Sequence, residues 1–247
     1  MFKIKFIYLF IMFAVTSNNL FAESDLDKVI PPEIKNDAFY EAIYRYAKTE
    51  PVKTILEIGS SSGEGSTEAF VLGIKENVNN PTLFCMEISK PRFALLNQRY
   101  GHLPYVKCYN VSSVALSDFP TEEEVGLFIK NTRTNLDMFG GCKVVLGWLR
   151  QDIDYVNFCG GAPLAGIEII KSENNIKHFD MVLIDGSEFT GKAELKMVYG
   201  AKYIFLDDIN AFKNYSNYHQ LLADPNYQLL EENYSLRNGY ALFKKIN

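Results

Sequence analysis

Residues 54–70 read TILEIGSSSGEGSTEAF, and they decide the fold. A β-type run, Thr54 to Leu56, is followed by an acid, Glu57, a loop of glycines and serines, and a helix that starts near Ser66. The N-terminus of such a helix presents free N–H groups and a partial positive charge to an anionic group or to ordered water. The stretch therefore predicts a strand–loop–helix unit that binds a small ligand.

The spacing of the glycines weakens two common interpretations of this loop. A dinucleotide fingerprint requires G-x-G-x-x-G, whereas the glycines here are Gly59, Gly63 and Gly65. A phosphate-binding loop requires lysine between its last glycine and a serine or threonine, but Ser66 follows Gly65 directly. A different ligand is indicated.

Two glutamates restrict the choice of ligand. Glu57 can accept a hydrogen bond from an ammonium group, or it can order the loop. Glu87 follows the second predicted strand, 28 residues after Gly59, where a carboxylate can accept from both hydroxyls of a ribose. The alternative for Glu87 is a solvated acid at the end of a strand. S-adenosylmethionine carries an ammonium, a carboxylate and a ribose, and it satisfies both positions.

The rest of the chain alternates strands and helices, which predicts an α/β fold with a mostly parallel sheet covered on both faces. The last two strands, YQLLEEN and GYALFKK, are joined by a short connection containing Asn238-Gly239, so they should pair in antiparallel fashion. A C-terminal antiparallel pair of this kind is not expected in an ordinary nicotinamide-dinucleotide domain.

Four segments, LEIGSSSGEGS, FCMEIS, YNV and FDMVLIDGSEF, resemble the successive cofactor motifs of class I S-adenosylmethionine-dependent methyltransferases. The resemblance covers roughly residues 50–247 and is closest to the macrocin and catechol O-methyltransferase branches, although Ser61 stands where many members have glycine. It implies a Rossmann-like fold with a seven-stranded, mostly parallel sheet that ends in an antiparallel hairpin. It also implies a cofactor site in which Gly59, Ser60, Ser61 and Gly63, with Glu57, surround the methionine part, Glu87 and Ile88 the ribose, and Asn110 and Val111 the adenine.

Three aspartates end two further predicted strands. Asp185 follows the fourth strand, and Asp207 and Asp208 end the fifth, so their carboxylates should converge at the edge of the sheet where ligands bind. Oxygen ligands of this type suit Mg²⁺, which would lower the pKa of an acceptor hydroxyl. Asp185 is also expected to be a catalytic residue. Alternatively, Asp208 caps the next helix or Asp207 is solvated, and Asp185 serves only the cofactor or the acceptor.

The general base is not identified by the sequence. Glu188 stands three residues after Asp185, where catechol-type enzymes resembling this chain carry a catalytic lysine. Lys192 and His219 are candidates by position only, and each is also expected as a surface residue.

The chain divides into a leader at residues 1–22, a helical segment at 23–50 and a methyltransferase domain at 51–247. The leader has the basic start, short apolar run and polar break of a secretory signal peptide, although an apolar helix or a misassigned start would explain it too. Its apolar run is too short to span a bilayer. Within the domain, an insertion at about residues 113–175 has helical patterns of its own and is either a packed satellite or a lid or platform for the acceptor.

The function predicted from these features is S-adenosylmethionine-dependent O-methylation of a small hydroxylated metabolite or sugar. Whether the protein forms a homo-oligomer is left open by the sequence. The net charge of −5 argues against a nucleic-acid partner. A nicotinamide-dependent reductase is less favoured, because neither Tyr44–Lys48 nor Tyr240–Lys244 lies on a helix after the loop. A non-catalytic exported protein with this fold stays open, since the leader indicates export whereas the cofactor is made in the cytosol. The four cysteines are expected to be buried free thiols.

Overall fold

A single seven-stranded sheet organises the computed structural model, which describes residues 25–246. The leader predicted at residues 1–22 lies outside the described residues. The spatial order of the strands is β3-β2-β1-β4-β5-β7-β6, and every pairing is parallel except those of β7 with β5 and with β6. The strands are β1 (Thr54–Ile58), β2 (Thr82–Met86), β3 (Val106–Tyr109), β4 (Met181–Ile184), β5 (Tyr203–Asp207), β6 (Tyr227–Asn233) and β7 (Tyr240–Lys245).

Within residues 25–246, eight α-helices connect and cover these strands, as the alternating pattern predicted. In chain order they are α1 (Ala38–Thr49), α2 (Ser66–Glu76), α3 (Lys90–Tyr100), α4 (Glu122–Asn131), α5 (Cys142–Phe158), α6 (Gly166–Glu173), α7 (Gly191–Val198) and α8 (Phe212–Ala223).

The central strands are buried on both faces. Ile55 of β1 belongs to an apolar cluster shared with α1, α2 and α3, whereas the next residue, Leu56, belongs to a second cluster shared with α6, α7 and α8. Successive side chains of a strand point to opposite faces, so a sheet covered on both sides requires continuously apolar strands. This requirement explains why the sequence shows runs such as MVLI and YIFLD.

The C-terminal hairpin is antiparallel, as predicted, but its order in the sheet was not foreseen. β7 inserts between β5 and β6, with Asp207 opposite Tyr240 and Asn233 opposite Tyr240 on the other side. Gly239 has φ +83°, a conformation that glycine adopts without strain. The insertion of β7 brings the residues before it, Arg237 and Asn238, next to the end of β5.

The insertion between β3 and β4 contains α4, α5 and α6. Its own apolar cluster joins Val125, Val145 and Leu149 to Phe189, which follows β4. The insertion is thus packed onto the sheet edge where the strands end.

Among residues 25–246, no helix combines the length and apolar character needed to cross a membrane. The four cysteines are free, as expected, but they are not all buried: Cys85 is buried, Cys108 and Cys159 are half-buried, and Cys142 is exposed. Cys142 is the first residue of α5, within the insertion.

Candidate active site

A cavity of about 460 Å³ opens at the carboxyl ends of the parallel strands. It lies where the strand order reverses between β1 and β4, which is where ligands bind in open α/β sheets. The loop after β1, the end of β2 and the loop after β4 all contribute to its walls. Its volume is in the range of small-molecule binding sites.

The loop after β1 lies against the loop after β4 at Gly59. A Cβ atom on Gly59 would be 2.0 Å from the carbonyl oxygen of Asp185, and the φ of this residue is +88°. Only glycine satisfies both conditions. Beyond it, Ser60 and Ser61 line the cavity, whereas Gly63 lies outside the cavity lining and packs toward the ring of Tyr100.

Glu57 supports this loop from below and does not line the cavity. Its side chain is fully buried, and its Oε2 atom accepts hydrogen bonds from the hydroxyls of Ser60 and Thr67, both at 2.7 Å. Burial raises the pKa of the Glu57 carboxyl, and these hydroxyls oppose the rise. Of the two roles expected for Glu57, the structure shows loop ordering, through side-chain hydroxyls.

Glu87 lines the cavity directly after β2, as does Ile88. The Oε1 atom of Glu87 accepts a hydrogen bond from the backbone N–H of Ser89 at 2.7 Å, which fixes the carboxylate. Burial raises the pKa of this carboxyl. The side chain is 7% exposed, so it is a held carboxylate at the wall of a cavity and not a solvated acid.

Val111 lines the same cavity, but Asn110 does not. The side-chain amide of Asn110 donates to the carbonyl oxygens of Glu87 at 2.8 Å and Ile88 at 2.9 Å, so it holds the end of β2 in place. Asn110 lines a neighbouring cavity of about 250 Å³ that shares Ile88, Val111 and Ser112 with the first.

The three aspartates predicted to converge do so. Asp185, Asp207 and Asp208 each bring a carboxylate oxygen to within 4.8 Å of the others. Burial raises the pKa of Asp185 well above its usual value, although the ammonium of Lys213 opposes this. Burial and the neighbouring Asp208 raise the pKa of Asp207 to about 6.

Lys213 places its ammonium among these carboxylates. Its Nζ atom is 2.8 Å from Asp185 Oδ1 and 2.7 Å from Asp208 Oδ2, and the lysine is only 8% exposed. Burial alone would lower the pKa of Lys213, but the surrounding carboxylates raise it well above its usual value. Burial alone would likewise raise the pKa of Asp208, but Lys213 holds it below the usual value.

Asn214 and Gly191 fix the backbone that carries Lys213. The side-chain amide of Asn214 donates to the carbonyl oxygens of Ile184 at 3.0 Å and Asp207 at 2.6 Å, which ties the start of α8 to the ends of β4 and β5. A Cβ atom on Gly191 would be 2.0 Å from the carbonyl oxygen of Lys213, so α7 meets this backbone in direct contact.

The C-terminal hairpin supplies hydrogen-bond partners to Asp207 and Asp208. Arg237 donates to Asp207 Oδ1 at 3.0 Å and also pairs with Asp37, which caps α1. Asn238 donates to Asp208 Oδ1 at 3.0 Å. Asp208 has φ +56°, a conformation that asparagine and aspartate tolerate better than most residues.

The donor chemistry of this cluster suits Mg²⁺, but the described arrangement does not fit the ion. Asp185 and Asp208 already bind the Lys213 ammonium, and Asp207 binds the Arg237 guanidinium. The expected Mg²⁺ is therefore not confirmed.

Two acids at this end of the cavity were not assigned a role from the sequence. Burial raises the pKa of Glu188 to about 7, and its Oε1 atom accepts from the backbone N–H of Lys213 at 3.2 Å. Asp152 of α5 accepts from the hydroxyl of Ser187, and burial raises its pKa also. Both side chains line the cavity.

Lys192 and His219, the candidate bases by position, are exposed, and neither lines the cavity. Lys213 was missed, although the sequence held one signal. A lysine in the first turn of a helix opposes the helix dipole. Lys213 follows Asp208 by five residues, and a lysine there is stable only if nearby anions offset its repulsion from the helix dipole. The aspartates are those anions.

The insertion lines one side of the cavity. Phe119, Trp148 and Asp152 line the cavity from this side, together with Phe189 from the loop after β4. The end of the cavity near Lys213 therefore combines aromatic surfaces with acids and one ammonium.

A segment before α1 closes the other side of the cavity. Pro31 and Pro32 line it, and Asp27 accepts hydrogen bonds from the hydroxyls of Ser89, at 3.0 Å, and Tyr155. Arg92 donates to the carbonyl oxygen of Lys28 at 2.9 Å. This segment thus joins α3 to α5 across the cavity.

The sequence matches no protein-family model and no curated protein. Among solved structures, the chain is similar to the O-methyltransferase from Bacillus cereus in complex with SAH, at 12% identity and a TM-score of 0.52, covering 87% of this chain and 84% of that one. It is also similar to a methyltransferase from Geobacter sulfurreducens, at 10% identity and a TM-score of 0.51, covering 87% of this chain and 81% of that one. The chain therefore has the Rossmann-like fold of these methyltransferases.

Proposed function

We propose that this protein is an S-adenosylmethionine-dependent methyltransferase that transfers the methyl group to an oxygen atom of a small hydroxylated acceptor. One observation carries the proposal: the Gly59 loop, the carboxylate of Glu87, and the Asp185, Glu188 and Lys213 side chains all border one cavity at the reversal point of the sheet. The solved methyltransferases of the same fold, one of them in complex with SAH, support it.

The cofactor end of the cavity is built by the residues after β1 and β2. Ser60, Ser61 and the start of α2 offer hydroxyls and N–H groups to the amino-acid part of the cofactor. Glu87 is placed to accept hydrogen bonds from the two ribose hydroxyls, since one of its oxygens is held by Ser89 and its carboxylate borders the cavity. Ile88 and Val111 provide apolar surface for the adenine.

The acceptor end is bordered by Phe119, Trp148 and Phe189, with Asp152 and Glu188 beside them. Aromatic faces bind flat or weakly polar rings, and the acids bind hydroxyl groups. Anionic acceptors such as phosphates are disfavoured, because two half-buried acids, Asp152 and Glu188, border this end. A small, uncharged molecule with a ring and hydroxyl groups fits best.

The cofactor supplies an electrophilic methyl group on a sulfonium. The acceptor hydroxyl has to be held in line with that methyl group and has to lose its proton. Glu188 is suited to take this proton at its carboxylate, because a pKa near 7 lets it be deprotonated at neutral pH and still hold a proton well enough to accept one. The aromatic wall excludes water from the acceptor.

The test is isothermal titration calorimetry of the protein with S-adenosylhomocysteine. We expect micromolar affinity for the unmodified protein and roughly 100-fold weaker binding for Glu87→Ala, since hydrogen bonds to a charged acceptor contribute about 1.5–3 kcal/mol each. Glu168→Ala is the matched control, because Glu168 is an exposed glutamate on α6 outside the cavity lining, and it should leave the affinity unchanged. No binding by the unmodified protein would refute the proposal.

A further inference from the structure

We propose that the ammonium of Lys213 replaces a divalent cation in this site, so that the protein orients its acceptor oxygen with a residue of its own. The exclusion of a metal ion depends only on the contacts and charges of this cluster. The catalytic consequence rests on the proposed methyl transfer.

The position of the ammonium is that of a bound cation. Three carboxylates from two neighbouring strand ends face one point, and Lys213 Nζ lies within 2.8 Å of oxygens of two of them. A metal ion that binds Asp185 and Asp208 would lie about 2.0–2.6 Å from their carboxylate oxygens, in the space that Lys213 Nζ occupies. The lysine and the ion therefore compete for one space.

The charges also favour the lysine over an added ion. Asp185, Asp207 and Asp208 carry up to three negative charges, and Lys213 with Arg237 supplies two positive ones in direct contact. A divalent ion could enter only if the ammonium left its carboxylates or stayed beside the ion. The first leaves a buried charge without its partner, and the second places like charges side by side.

Lys213 is also held against such a displacement. Asn214, the next residue, is hydrogen-bonded to the backbone at the ends of both β4 and β5, and Gly191 leaves no space on the other side of the Lys213 backbone. The start of α8 therefore holds the lysine stem in the cavity wall.

An ammonium in this position can do part of the work of a metal ion. It has three N–H donors, and the described contacts of Nζ use two of them, on Asp185 and Asp208. Lys213 lines the cavity, so the third donor is available to the acceptor oxygen. In the transfer, that oxygen forms a bond to the methyl carbon, the sulfur–carbon bond breaks with its electron pair going to sulfur, and the hydroxyl proton goes to Glu188. The positive charge of Lys213 stabilises the developing negative charge on the oxygen without losing a proton itself.

The test is Mn²⁺ binding, followed by electron paramagnetic resonance of the free ion, with the full chain and no cofactor or acceptor. We expect the unmodified protein to leave the Mn²⁺ signal unchanged. Lys213→Ala should bind about one equivalent with a dissociation constant of about 0.1–1 mM, because it opens the space and leaves the carboxylates without their ammonium. Lys192→Ala, which removes an exposed lysine on α7, is the control and should resemble the unmodified protein.

Stoichiometric Mn²⁺ binding by the unmodified protein would overturn the proposal, and so would a folded Lys213→Ala variant that binds no Mn²⁺. Circular dichroism establishes whether that variant is folded. If the variant is not folded, the Mn²⁺ titration of the unmodified protein is the test. No Mn²⁺ binding by that protein would support the proposal, and stoichiometric binding would refute it. Because these measurements involve no methyl transfer, they stand or fall separately from the proposed function.

Discussion

Glu188→Gln should flatten the dependence of folding stability on pH. Burial raises the pKa of the Glu188 carboxyl from its ordinary value of 4.5 to about 7 in the folded protein. The unfolded chain therefore loses this proton at lower pH than the folded protein does. The contribution of Glu188 to stability is greatest below pH 4.5 and falls as the pH rises through 7.

The size of the effect follows from the two pKa values. Proton linkage with pKa values of 4.5 and about 7 gives a loss of about 2.5 kcal/mol in the free energy of unfolding between roughly pH 5 and pH 8.5. Glutamine does not titrate, so the variant should not show this loss. Its amide oxygen can still accept the hydrogen bond from the backbone N–H of Lys213, so the local contact is kept.

The assay is urea denaturation of the unmodified protein and the variant at both pH values, followed by circular dichroism. The difference between the two free energies of unfolding should change by about 2.5 kcal/mol from the lower to the higher pH, in favour of the variant. Glu123→Gln, which changes an exposed glutamate on α4, should show no such change. A pH-independent difference for Glu188→Gln would refute the electrostatic description of this end of the cavity.

Three further substitutions test the framework around the site. Gly59→Ala should lower the free energy of unfolding by about 3 kcal/mol in urea denaturation, because its Cβ would be 2.0 Å from the Asp185 carbonyl oxygen at φ +88°; unchanged stability would contradict this packing. Thr67→Val keeps the side-chain shape but removes a 2.7 Å hydrogen bond to buried Glu57, so it should lower the free energy of unfolding by about 2 kcal/mol in the same assay. A change near zero would show that Glu57 does not depend on this hydroxyl. Asn214→Ala leaves the carbonyl oxygens of Ile184 and Asp207 without their donor and should cost about 3 kcal/mol and lower the melting temperature; a variant as stable as the unmodified protein would show that α8 is positioned by other contacts.

The fold could be predicted because its signals are local. Strands buried on both faces must be continuously apolar, and runs such as MVLI show this directly in the sequence. The strand–loop–helix unit after Thr54 and the antiparallel final hairpin were confirmed for the same reason. The insertion of β7 between β5 and β6 was not predicted, because it depends on pairing between strands that are distant in the sequence.

The site was only partly predictable, because its polar contacts are tertiary. The convergence of the three aspartates follows from the parallel strands that carry them, and the structure confirms it. The sequence does not show that Lys213 reaches them, since this depends on how Asn214 and Gly191 fix the start of α8.

The roles of Glu57 and Asp152 could not be predicted from the sequence, for different reasons. Glu57 follows a strand in the way a ligand-binding acid would, yet the hydroxyls of Ser60 and Thr67 hold it beneath the loop. Asp152 lies on a helix of the insertion with no motif around it, and only the packing of α5 onto the sheet edge brings it to Ser187 and the cavity.

A crystal structure of the protein with S-adenosylhomocysteine would show directly whether the cavity binds the cofactor. We expect the ligand in the 460 Å³ cavity, with its ribose hydroxyls on the carboxylate of Glu87 and its amino-acid part beside Ser60 and Ser61. The sulfur should face the end of the cavity that holds Lys213 and Glu188. A ligand bound elsewhere, or one in this cavity whose ribose does not contact Glu87, would refute the proposed cofactor site.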